Sequence, residues 1–125
     1  MASIIIVSGM RKGDFCRLNQ RTIEIGRDES LAMQILDNKV SRRHVRIHFN
    51  ANNFSYSAID IGSKNGILVN SVKIDKEIVL EDNDYISIGN TVLMFTAKDF
   101  FDRNSVLEHV KKLGEVNRPT KTTDT

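Results

Sequence analysis

A chain of 125 residues, 40% hydrophobic and 27% charged, is the size of one domain and long enough to bury a core without disulfides or metals. Its formal net charge of +2 is too small for bulk nucleic-acid binding, and its basic loops carry neither interleaved aromatics nor a basic helix. The single Cys16 closes no internal disulfide, no stretch approaches transmembrane length, and the short IIIV at 4–7 lacks the positive lead-in of a secretory leader, so the sequence reads as cytoplasmic.

The first ninety-odd residues are short runs rich in Val, Ile, Phe and Leu, separated by clusters of Gly, Asn, Asp and Lys. That spacing predicts an all-β sandwich or barrel. IIIV at 4–7 opens it, and FCRL at 15–18 follows the turn MRKGD. TIEI at 22–25 alternates, with Ile23 and Ile25 on one face, and MQIL at 33–36 pairs Met33 with Ile35. HVRIHF at 44–49 sends Val45, Ile47 and Phe49 inward and His44, Arg46 and His48 outward or to the edge. A turn NANN at 50–53 leads into FSYSAI at 54–59, where Phe54, Tyr56 and Ala58 are expected on one strand face. ILV at 67–69, VKI at 72–74, EIVL at 77–80, YISI at 85–88 and TVLMF at 91–95 bring the count to about eleven, with EDND at 81–84 and GN at 89–90 as turns. No strand–helix–strand alternation appears, so the pairing is expected to be mainly antiparallel.

After Lys98 the pattern changes. Ser105 with Glu108 reads as a capping box, Val106, Val110 and Leu113 fall on one helical face, and Gly114 reads as the stop. Such a helix of about ten residues is too short to stand alone and should dock on the sheet or a partner, with Phe100 and Phe101 placed to fasten it. The expected layout is a sandwich over 1–98, a packed helix within 99–114 and a disordered, Thr-rich tail over 115–125.

Three loops concentrate donors at strand ends: Gly26 and Arg27 after TIEI, VSRRH at 40–44, and DIGSKNGILVN at 60–70. Arg27, Arg42, Arg43 and Lys64 donate hydrogen bonds and accept none, so converging loops would make an anion site. GR at 26–27, SRRH at 41–44, SKNG at 63–66 and VN at 69–70, in this order and spacing, resemble the forkhead-associated (FHA) domain over roughly residues 4–97. The resemblance implies an FHA-like β-sandwich and a non-catalytic module that binds phosphothreonine peptides made by a Ser/Thr kinase.

By that resemblance, Arg27 and Ser41 are direct phosphate ligands, Arg42 contributes, and Asn65 grips the peptide backbone. Lys64 stands where many relatives carry Ser or Thr, and would act on the phosphate as a point charge. Arg43 and Lys64 are candidates for tuning flanking-residue preference. Gly26, His44, Gly66 and Asn70 are implied as structural supports, with the His44 ring fixing the loops and Gly66 supplying a turn. Ile67 and Ser71 replace a frequent Thr and Gly, which predicts altered loop packing. A phosphothreonine carries about −1.5 to −2 charges. Two or three charge-assisted bonds to it, at about 1.5–3 kcal/mol each, make an unphosphorylated peptide bind at least about a hundredfold more weakly.

Read without the resemblance, Arg27 is a surface arginine, Ser41 a turn hydroxyl and Asn65–Gly66 a hairpin turn. His44 and His48 are not a metal pair, because four strand residues separate them by about 13 Å and no Cys or carboxylate completes a set. No nucleophile–base pair or cofactor motif is discernible, and neither a nucleic-acid nor a membrane partner is expected. A phosphate-independent adaptor using the sandwich surface or the helix is the alternative. Thr120, Thr122, Thr123 and Thr125 raise a further partner: the domain's own tail, once phosphorylated.

Overall fold

Period-two alternation gives each strand one inner face, and two sheets bury those faces against each other. A computed structural model describes residues 2–116. The strands are β1 (Ser3–Ser8), β2 (Phe15–Arg17), β3 (Ile23–Gly26), β4 (Met33–Gln34), β5 (Val45–Asn50), β6 (Ser55–Asp60), β7 (Leu68–Val69), β8 (Val72–Lys73), β9 (Ile78–Val79), β10 (Asp84–Ile88) and β11 (Thr91–Thr96). One sheet has the order β2-β1-β11-β10-β7-β8 and the other β4-β3-β5-β6-β9. Among the described residues β3 and β4 form the one parallel ladder, Ile25 opposite Met33.

Between the sheets, Ile4, Ile6, Ile86 and Leu93 of the first meet Ile25, Val45, Ile47 and Ala58 of the second, all essentially without solvent contact. The unbroken IIIV run has a separate cause. Ile4 and Ile6 face this core, while Ile5 points to the sheet's other side, where it is buried with Met94, Phe100 and Val106 beneath a helix. A strand covered on both faces reads as a continuous apolar run.

That helix, α1 (Arg103–Val116), begins two residues before the expected Ser105. Asp102 is its cap: its carboxylate accepts the Ser105 N–H at 2.8 Å, and this bond and the Ser105 hydroxyl hold the acid below its usual range. Ser105 thereby becomes an interior first-turn residue. The helix also continues through Gly114, so Glu115 and Val116 belong to it rather than to a tail. The rest of the expected tail, including its four threonines, lies outside the described residues. Arg103 pins the helix start by donating to Asp14 and to the Lys12 carbonyl. Phe100 fastens the helix, whereas Phe101 is 72% exposed and lies under the Arg17 guanidinium.

Two further expectations change. Phe54 belongs to the turn and not to β6: its φ is +56° and its ring is 68% exposed, since the Asn50–Ser55 pairing leaves residues 51–54 as the loop. His44 is fully buried, drawn inward by the hydrogen bonds described below.

Candidate functional site

β3, β5 and β6 are successive antiparallel neighbours, with Ile25 opposite Val45 and Val45 opposite Asp60. The end of β3, the start of β5 and the end of β6 therefore meet at one end of the sandwich, and the three donor-rich loops with them. Gly26 allows the closest approach. A Cβ there would sit well inside contact distance of the Arg42 carbonyl oxygen and 2.9 Å from that of Ser41. Without it the two segments zip together, Arg27 N–H donating to the Ser41 carbonyl at 3.0 Å and Asp28 N–H to that of Arg42 at 3.1 Å.

The side chains follow from that junction. Arg27 spends Nε on the Val40 carbonyl at 3.0 Å, which fixes its guanidinium while its terminal amino groups have no hydrogen-bond partner among the described residues. Ser41 Oγ accepts the Lys64 N–H at 3.0 Å, so the hydroxyl hydrogen is left to donate outward. His44 ties the loops from below. Its Nδ1 accepts the Ser41 N–H at 3.1 Å, which assigns the proton to Nε2, and Nε2 donates to the Gly66 carbonyl at 2.7 Å. Asn65 donates one amide hydrogen to the Lys39 carbonyl at 2.9 Å, leaving its oxygen and second hydrogen. The backbone bonds and the Ser41, His44 and Asn65 links thus hold the three loops together as one notch at this end of the sandwich, with the Arg27 amino groups, the Ser41 hydroxyl and one Asn65 amide hydrogen left to donate.

The family model described as "FHA domain" matches residues 23–89. The chain belongs to the FHA domain family. It is 34% identical over 94 residues to the oxoglutarate dehydrogenase inhibitor of Corynebacterium jeikeium, covering 75% of this chain and 63% of that protein. It is 32% identical over 94 residues to the glycogen accumulation regulator GarA of Mycobacterium tuberculosis, covering 75% and 56%. A solved FHA domain with phosphothreonine-dependent interactions superposes with a TM-score of 0.69 at 25% identity, covering 79% of this chain and 98% of that one. The match spans 14% and 12% of two eukaryotic relatives and 56–66% of the bacterial ones.

The remaining predicted residues of this FHA domain divide. Arg42 is 76% exposed at its side chain and reaches Asp28 at 3.4 Å, beside the notch. Asp28 is held below its usual pKa first by the Ser30 N–H and hydroxyl and then by Arg42. Lys64 is exposed and forms no ion pair among the described residues. Arg43 is not gathered in: Glu24 takes it at 2.6 Å and takes Arg46 at 2.9 Å. The bonds from Arg46 and then Arg43 keep Glu24 below its usual pKa. Asn70 also lies apart, at the far end of β10, where it donates to Asp84, accepts the Tyr85 N–H and, with φ of +51°, begins the β7–β8 turn.

Sequence reasoning passed over the residues that build the third loop. Asp60 accepts the N–H groups of Gly62 at 3.0 Å and Ser63 at 2.7 Å, and Ser63 Oγ donates back to Asp60 while accepting the Gly66 N–H. The pattern Asp-x-Gly-Ser after a strand was the available signal for this side-chain-capped turn. Asp37 was missed as well. It accepts from Lys39 N–H, Asn90 N–H and the Thr91 hydroxyl, binding the second loop to the β10–β11 hairpin. Those bonds hold it below its usual pKa against the effect of burial.

Proposed function

We propose that this FHA domain is a non-catalytic recognition module for phosphothreonine-bearing peptides produced by a Ser/Thr kinase. The observation that carries the reading is the 3.0 Å bond from the Arg27 N–H to the Ser41 carbonyl, which makes backbone neighbours of two residues whose side chains, the Arg27 amino groups and the Ser41 hydroxyl, have hydrogens left to donate. A doubly ionised phosphate ester matches that donor set, and a neutral hydroxyl does not. Arg27 and Ser41 take the phosphate directly, and Arg42 swings from Asp28 to join them. The Lys64 ammonium adds charge from the third loop, and Asn65 uses its remaining oxygen and hydrogen on peptide backbone. Gly26, His44 and Gly66 hold the three loops in register.

The reading involves no catalysis, cofactor, nucleic acid or membrane, and places the protein in the cytoplasm with the kinase that makes its ligand. No helix of the described residues is long and apolar enough to cross a membrane, and no cluster of three or more His, Cys, Asp or Glu among them could hold a metal ion. The test is calorimetric titration of Arg27→Ala and Ser41→Ala against peptides selected from a degenerate phosphothreonine library. Each variant is expected to lose at least about tenfold in affinity, the loss of one charge-assisted bond. Wild-type affinity in both ends the assignment.

One observation favours a second reading, a phosphate-independent adaptor: Val72 and Val79 are 66% and 59% exposed on the edge strands β8 and β9. A captured partner that stays bound after phosphatase treatment supports it; release supports the first.

A further inference from the structure

Lys73 belongs to none of the signature segments, yet it lies against the third loop. It stands opposite Leu68 in the β7–β8 ladder, and its stem crosses Gly66: a Cβ on that glycine would be 3.0 Å from Lys73 Cε and 3.6 Å from Nζ. Gly66 has φ of +82° and its carbonyl meets the His44 ring, so the loop presents a bare, fixed backbone over which the lysine stem lies. The ammonium therefore lies beside Gly66, the residue that follows Asn65. It is exposed, and among the described residues no carboxylate pairs with it; Asp75 and Glu77, further along the chain, form no ion pair with it.

The neighbouring charges make this meaningful. Three aspartates built into or beside these loops have their donors within the fold: Asp28 has Ser30 and Arg42, Asp37 has Lys39, Asn90 and Thr91, and Asp60 has Gly62 and Ser63. Lys39, Lys64 and Lys73 are exposed and form no ion pair among the described residues; Lys39 and Lys64 belong to the loops that Asn65 joins, and Lys73 lies against Gly66. Ser41 Oγ lies 3.0 Å from Lys64 N, and Gly66 is two residues further on. Chain geometry then bounds the span from the Ser41 hydroxyl to the Lys73 ammonium at roughly 15 Å, which an extended peptide covers in about four residues at ~3.3 Å each.

We infer that Lys73 is a specificity-determining residue that selects phosphothreonine peptides carrying an acidic side chain within about four residues of the phosphothreonine. This rests on the proposed function and narrows its ligand class. The cation is preorganised by its contact with Gly66, so an incoming Asp or Glu orders little that is not already ordered. The pair is solvent-exposed, so its effect is modest and falls with salt.

The experiment uses the full chain and a phosphothreonine peptide with neutral flanks, compared with peptides bearing one Asp at each of four positions on either side. The readout is the ratio of Asp-peptide to neutral-peptide affinity. In the wild type at least one placement should raise it about three- to fivefold. Lys73→Glu should bring that ratio to one or below, Lys73→Arg should keep it, and about 0.5 M salt should shrink it. A ratio of one at every position in the wild type, or a ratio unchanged in Lys73→Glu, overturns the inference while leaving phosphothreonine recognition standing. No wild-type binding of any phosphothreonine peptide overturns the underlying reading and the inference together.

Discussion

Gly26→Ala adds one methyl group where the site is most tightly closed. The new carbon would overlap the Arg42 carbonyl oxygen and lie 2.8 Å from the Arg42 carbonyl carbon and 2.9 Å from the Ser41 oxygen. All of these are backbone atoms, so no side chain can turn aside and the 41–42 segment must retreat by about 1 Å. Retreat stretches the two bonds from Arg27 N–H and Asp28 N–H, now 3.0 and 3.1 Å. Two lost backbone bonds are worth about 1–3 kcal/mol. Overpacking in a close-packed region adds about 1–3 kcal/mol. The expected loss of about 2–6 kcal/mol is a large part of a domain's usual stability of about 5–15 kcal/mol. Urea unfolding followed by circular dichroism measures it. Gly62→Ala is the control, because its Cβ would meet nothing within 4 Å and only its φ of +93° opposes substitution, for about 1–2 kcal/mol. At temperatures where Gly26→Ala stays folded, phosphothreonine-peptide affinity should still fall about tenfold or more, because Arg27 and Ser41 no longer share one notch. A Gly26→Ala protein within 0.5 kcal/mol of wild type, or no less stable than Gly62→Ala, would refute the reasoning.

Three other outcomes follow. Ser71→Gly should stabilise the protein by about 0.5–1 kcal/mol, since a serine at φ of +71° is strained where glycine is not; an unchanged or lower melting temperature counts against this. His44→Ala should cost about 2–4 kcal/mol in urea unfolding, because it empties a fully buried site and strands the Ser41 N–H and the Gly66 carbonyl. Burial first, then Lys98 and Lys112, hold His109 below its ordinary pKa of 6.5, with Asp82 opposing. The unfolded chain therefore takes up that proton first, and stability present above pH 6.5 is lost as pH falls through and below it. His109→Phe, which keeps a ring against Phe100, should remove that part of the decline; identical pH profiles for the two proteins would contradict it.

Strands and loops were legible where the signal was local. The alternation at 44–49 and the GN turn at 89–90 correspond to β5 and to the hairpin in which Ile88 pairs with Thr91. The ordered words from Gly26 to Asn70 carried the family. What could not be read depended on competition or on distant partners. Asp102 competed with Ser105 for the helix cap. Phe54 has an apolar ring but occupies a left-handed turn position that four-residue loop closure imposes. The Glu24 partner of Arg43 was not legible either, because it depends on β3 pairing with β5, which places Glu24 opposite Arg46 and within reach of Arg43. Lys73 carried no motif at all, and acquires a role only because the β7–β8 ladder folds it back onto Gly66.

The account stands or falls on the phosphate. One peptide that binds the wild-type protein, titrated calorimetrically before and after complete removal of its phosphate, measures that contribution directly. At least about a hundredfold weaker binding after dephosphorylation is predicted from two charge-assisted bonds. Equal affinity in the two titrations would contradict it.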